Sequence, residues 1–251
     1  MLTLPLAAGF AAAVLFTSFL SGIFGMAGGM ILMGLLLAML PVATAMLLHG
    51  ITQLASNGWR AWLWRAHVEW RIVRNIAAAS VLTAGAIALL PFTTNKATAL
   101  IVLGLTPFLA LLLPKSVRPD ATRNPHAWGC GLVCTSLQLV AGGAGPILDL
   151  FFVHTGLDRK QVVATKAATQ TINHLIKIVY FGGILAGSGG SIDGIVVLIA
   201  VGFAMTGTTL SRWVLDAMND TQFRRWTQWI VLTTAAIFLA QGVWLMLHGA
   251  A

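Results

Sequence analysis

Charged side chains are scarce in this chain, making up 9% of its 251 residues, against about 25% in a soluble domain. Too little polar surface is left to keep it dissolved, which excludes a soluble globular protein. Only two cysteines are present. Cys130 and Cys134 stand four apart on one face of an expected helix and read as small packing residues, not as a metal or redox pair. No Gly-x-x-x-x-Gly-Lys-Ser/Thr signature occurs, which argues against a self-powered ATPase and leaves an ion gradient as the energy source. A nucleophile with its base is also lacking, so the chain reads as a non-enzyme, with no cofactor and no metal site. The first apolar run has neither a basic leading region nor a convincing cleavage site, and is expected to be a retained span instead of a signal peptide.

What the chain has in abundance is hydrocarbon. Hydrophobic residues make up 58% and the mean hydropathy is +0.87. Several runs approach or exceed the roughly 20 apolar residues that cross a bilayer. The expected class is an all-α polytopic membrane protein. A net charge of +8 would suggest nucleic acid as partner for a soluble protein. Here Lys and Arg gather in a few loops, so the charge reads as membrane topology and the partner is the lipid bilayer.

A Gly-rich break inside an apolar stretch occurs twice. Gly25-Met26-Ala27-Gly28-Gly29 leads to His49, Thr52-Gln53 and Asn57, and Gly142-Gly143-Ala144-Gly145-Pro146 leads to Lys166, Thr169-Gln170 and His174. Adding 117 to a first-half number gives its second-half counterpart: Gly25 to Gly142, Gly28 to Gly145, Gln53 to Gln170. Paired broken segments in corresponding halves point to a transporter substrate site.

The predicted organisation is two repeats, 1–125 and 126–251. The first holds a hairpin over 4–39 and spans at 42–64, 71–90 and 95–113; the second a hairpin over 126–156 and spans at 160–186, 191–211 and 224–248. Segments 28–39 and 145–156 are too short to cross at 1.5 Å per residue, so each is expected to be one arm of a re-entrant hairpin. Basic clusters lie at Arg60, Arg65, Arg71 and Arg74, at Lys115, Arg118 and Arg123, at Arg159 and Lys160, and at Arg212, Arg224 and Arg225. If all are cytoplasmic, both termini and the loops near 40, 92 and 189 fall on the periplasmic side, and the repeats become inverted. Eight full spans in parallel repeats would put some clusters outside, against the usual bias.

Lys166, Gln170, Asn173 and Lys177 form one helical stripe with His174 at its border; His49, Gln53, Ser56 or Asn57, and Arg60 form the other. Such stripes in spanning helices face a water-filled cavity or another helix. Thr52, Ser56 and Thr169 alone read as interhelical hydrogen bonds; the stripes with their lysines read as a pathway. Each break exposes backbone N–H groups at a half-helix N-terminus, which attract an anion. Gly25, Gly28, Gly29, Gly142 and Gly145 allow close approach, and Pro146 suits a first helical position. Asp149 is expected to pair with Lys166 or Lys177, or to carry a coupling proton; His49 and His174 are further coupling candidates. Arg60 either reaches the site or snorkels to the interface. Trp59, Trp62, Trp64 and Trp70 read as an interfacial belt.

The Gly-rich break after the first run, its copy near the middle and Val163-Ala164-Thr165-Lys166-Ala167 resemble the sulfite/organosulfonate exporter (TauE/SafE) family over essentially the whole chain. That resemblance implies a bacterial inner-membrane permease of two related halves, assembling as a dimer and moving small sulfur-containing anions such as sulfite or sulfoacetate. The first copy departs from the family pattern, with Gly34 near the expected Pro. The expected function is a secondary exporter of such an anion by alternating access. An anion channel on the same scaffold, or an intramembrane haem or redox protein, is the alternative.

Overall fold

The computed structural model describes residues 4–90, 94–114, 118–217 and 220–249. Lys115 and the loop at 92 lie outside the described residues, as does the side chain of Arg224. The described chain is helical throughout, with α1 (Leu4–Phe24), α2 (Ala27–Met39), α3 (Val42–Leu63), α4 (Trp70–Ala88) and α5 (Lys96–Leu112) in the first half. The second half holds α6 (Asn124–Ala141), α7 (Gly145–Phe152), α8 (Arg159–Gly187), α9 (Gly194–Ala217) and α10 (Asp220–Leu247). Among the described residues, four windows are long and apolar enough to cross a membrane: Ala7–Phe24, Trp70–Ala88, Gly194–Val214 and Arg225–Leu247. Their outward faces carry exposed apolar side chains such as Leu82, Leu198, Ile237 and Trp244. That surface suits lipid and not water. The protein is a multi-pass membrane protein.

Helix ends follow local chemistry. Gly25 (φ 68°) and Gly142 (φ 85°) take left-handed conformations that interrupt the chain between α1 and α2 and between α6 and α7. A β-carbon there would clash with the following carbonyl. Asp158 opens α8 by accepting from the backbone N–H groups of Lys160 and Gln161, while the Gln161 side chain accepts from the Asp158 N–H. Replacing Asp158 by Ala removes this capping box and is expected to cost about 1 kcal/mol of stability, visible as a lower midpoint in thermal unfolding.

Small residues set the crossings, since lipid supplies no hydrophobic drive for helices to associate. Gly207 of α9 rests on the α1 backbone at Leu15 and Phe19, Gly131 of α6 on that of α4 at Ile76, and Gly104 of α5 on α10 at Ala235. The central pair is α3 and α8. Gly50 meets Ile178 and Gly58 meets Thr171, so these two helices run antiparallel. Ser56 is hydrogen-bonded to Thr208 (2.7 Å) and Trp59 to Thr209 (3.0 Å), tying α3 to α9. Thr52 bonds only within its own helix, to the Leu48 carbonyl. Cys130 and Cys134 are buried on one face of α6 with sulfurs 3.9 Å apart.

Candidate functional site

The two Gly breaks meet at the middle of the α3–α8 pair. The Met26 side chain, at the first break, packs against Gly145, the first residue of α7. Between the breaks lies a cavity of about 40 Å³, lined by Met26, Gly29, His49, Gln53, Gln138, Gly142 to Gly145, Gln170, Asn173 and His174. Since one water needs roughly 10–15 Å³ on this measure, the space suits a small oxyanion or a few waters. A second cavity, of about 560 Å³, lies on the other side of Met26 and Gln170, which line both spaces. Gly25, Asn57, Arg60, Pro146, Asp149 and Lys166 line it, along with Arg118 and Arg159.

These spaces are lined by polar groups of unequal saturation. Gln53 Nε2 is buried and has no hydrogen-bond partner among the described residues, as is Arg60 Nη2. Leaving a buried donor unpaired costs about 1–3 kcal/mol, more when it is charged. Thr169 Oγ1, which lines neither cavity, is also buried without a partner among the described residues. Asn57 Nδ2 donates to the Gln53 backbone carbonyl (3.0 Å) and to Gln53 Oε1 (3.3 Å), so the Gln53 amide is held by its oxygen with its nitrogen left over. Thr135 Oγ1 donates to Asn173 Oδ1 (3.4 Å).

The polar stripe of α8 divides. Lys166 forms an ion pair with Asp149 in the larger cavity. Lys177 is wholly buried and lines neither cavity; its Nζ lies behind the small one, 2.9 Å from the Gly142 carbonyl and 3.0 Å from His49 Nδ1. Eleven residues separate the two lysines, about 16 Å along a helix, enough to send them to opposite ends of the contact with α3. Gln170, Asn173 and His174 line the small cavity between them. Gly28 lies in neither cavity: it faces the α1 backbone at Thr17 and Ser21. Arg60 lines the larger cavity and a third, of about 180 Å³, with Trp64 and Arg212.

Sequence reasoning passed over Gln138. Its amide bonds His174 Nδ1 (2.9 Å) and lines the small cavity. A signal was present. Gln138 is a polar residue four before the second break, and 117 residues earlier Ser21 stands four before the first, donating to the Gly25 carbonyl (2.6 Å).

A family model described as sulfite exporter TauE/SafE matches residues 10–238. No curated protein and no solved structure matches the chain.

Proposed function

Because the chain belongs to the sulfite exporter TauE/SafE family, a family of membrane transporters, we propose that it exports a small sulfur-containing anion by secondary-active alternating access. Sulfite and organosulfonates such as sulfoacetate are the substrate class. The observation that carries the site is the Gln53 amide nitrogen, buried against the small cavity without an acceptor. An oxyanion seated between the breaks supplies that acceptor. Gln170 and the backbone N–H groups at the start of α2 and α7 complete its shell. Arg60 and Lys166 draw the anion into the larger cavity, where Asp149 neutralises only one of them.

Several pairings support inverted repeats over 1–125 and 126–251. The helices α3 and α8 are antiparallel, α1 packs on α9, and its counterpart α6 packs on α4. The 117-residue shift also turns the His49–Lys177 contact into the pair Lys166 and Arg60, which line the opposite cavity. One end of the α3–α8 contact is thus closed over its cations and the other open, as one half of an alternating cycle requires. The basic loops assign the open end to the cytoplasm. A homodimer in the bacterial inner membrane with periplasmic termini belongs to the same reading.

Thermal shift of purified protein with sulfite, sulfoacetate, taurine and chloride tests it. A ligand at 100 times its Kd adds about 2.7 kcal/mol to native stability. Stabilisation by a sulfur oxyanion, weakened in Gln53→Leu, is the expected result. If no anion stabilises the wild type, the substrate class is wrong.

A further inference from the structure

We propose that His49 and Lys177 together hold one proton that is bound jointly with the anion. The inference rests on the anion site proposed above and adds the proton that binds with it.

Hydrogen-bond chemistry limits what the pair can carry. His49 Nε2 lies 3.0 Å from the Gly29 carbonyl. A carbonyl only accepts, so Nε2 carries a proton. The other ring nitrogen, Nδ1, is 3.0 Å from Lys177 Nζ. If Lys177 is an ammonium, Nδ1 is a bare acceptor and His49 is neutral. If Nδ1 also carries a proton, His49 is an imidazolium and Lys177 must be the neutral amine that accepts from it. Charging both groups would set N–H against N–H, so the pair holds one positive charge or none.

The surroundings decide when that charge is tolerated. Lys177 donates further to the Gly142 carbonyl (2.9 Å) and faces the Met33 sulfur (3.7 Å). No carboxylate among the described residues pairs with it; Asp149 is taken by Lys166 in the other cavity. The titratable groups nearby are His174, whose ring meets that of His49 edge-on at 5.5 Å, and Cys134, a free thiol that lines the small cavity and is in hydrogen-bond contact with Cys130. His174 Nδ1 accepts from the Gln138 amide, which fixes this ring in its neutral form. A positive charge on the pair is therefore buried without a counter-ion, a costly state. The His49 ring and Gly142 both line the small cavity. An anion seated there is the missing counter-ion.

Joint binding follows by linkage: the anion tightens the proton, and the proton tightens the anion by the same factor. The pair also has mechanical reach. The hydrogen-bond chain Gly29 carbonyl, His49, Lys177, Gly142 carbonyl ties one helix break to the other. Loading and unloading the proton thus acts on the contact that alternating access has to remake.

Calorimetry on the purified full chain tests this, with methanesulfonate as probe because its charge does not change around neutral pH, whereas sulfite itself titrates there. Repeating the titration in buffers of different ionisation enthalpy counts the protons taken up. The expected result is uptake approaching one proton per anion, with affinity highest in acid and falling up to tenfold per pH unit once the empty pair is deprotonated. Lys177→Arg, whose charge is permanent, is expected to bind with no proton uptake and no pH dependence. The double variant His49→Gln, Lys177→Met, which leaves no titratable nitrogen at the pair, serves if the arginine variant does not fold, and is expected to lose uptake in the same way. Wild-type binding without proton uptake, or uptake that persists in either variant, overturns the proposal and leaves the anion site standing. Absence of binding by methanesulfonate, sulfite and sulfoacetate alike overturns both.

Discussion

Replacing Gln53 by leucine is expected to weaken anion binding by about 10- to 150-fold while leaving the protein as stable as before, or more so. Both signs come from the same atom. In the empty site Gln53 Nε2 is a buried donor with no partner among the described residues, so the wild type carries a desolvation cost of about 1–3 kcal/mol that leucine abolishes. Asn57 keeps its bond to the residue-53 backbone carbonyl and loses only the longer one to Gln53 Oε1 (3.3 Å), beside the larger cavity that it lines. In the loaded site the same N–H faces a charged oxygen, and such a bond contributes about 1.5–3 kcal/mol, which sets the predicted range. Thermal unfolding without ligand measures one sign and anion titration the other. If Gln53→Leu loses stability and keeps its affinity, the amide is a structural group and the small cavity is not the binding site.

Much of this architecture is legible in the sequence because it is written in residue types with few alternatives. Glycine inside an apolar run signals a backbone that a β-carbon would forbid, and Gly25 and Gly142 do adopt positive φ where the helices break. The all-helical, membrane-spanning class follows from hydropathy alone. The polar stripes are legible as stripes. Their partition was not, because periodicity gives the face a side chain takes and says nothing of depth. Lys166 and Lys177 share a face of α8, yet one meets Asp149 beside the wide cavity and the other meets His49 behind the small one. Only the antiparallel packing of α3 on α8 brings residue 49 to residue 177, and that contact is tertiary. Gly28 and Gly29 are adjacent glycines with unlike roles for the same reason. Gly29 lines the small cavity, where an added β-carbon would press on the Gln53 amide at 3.3 Å, whereas Gly28 is pressed into α1.

That difference gives the second large effect, on folding: Gly28→Ala is expected to destabilise the hairpin severely although it adds one methyl group. The new carbon would overlap the Thr17 carbonyl oxygen and the Ser21 amide nitrogen. These are backbone atoms of a helix whose neighbouring side chains are already committed: Thr17 Oγ1 donates to the Ala13 carbonyl (2.7 Å) and Ser21 Oγ to the Gly25 carbonyl. No rotamer change relieves the clash, so α1 and α2 must separate. Overpacking typically costs about 1–3 kcal/mol, and a contact made only of backbone belongs at the top of that range. Gly25→Ala, three residues away, has open space but a left-handed backbone, and is expected to cost about 1–2 kcal/mol. Gly9→Ala, on the exposed face of α1 with nothing near its added carbon, is expected to be neutral or to gain up to about 1 kcal/mol of helix propensity. Yield of folded protein on size-exclusion chromatography and the unfolding midpoint are expected to rank the three as Gly9, Gly25, Gly28 from mildest to worst. Should Gly28→Ala behave like Gly9→Ala, the close crossing of α1 and α2 is wrong, and with it the position of the first break beside the small cavity.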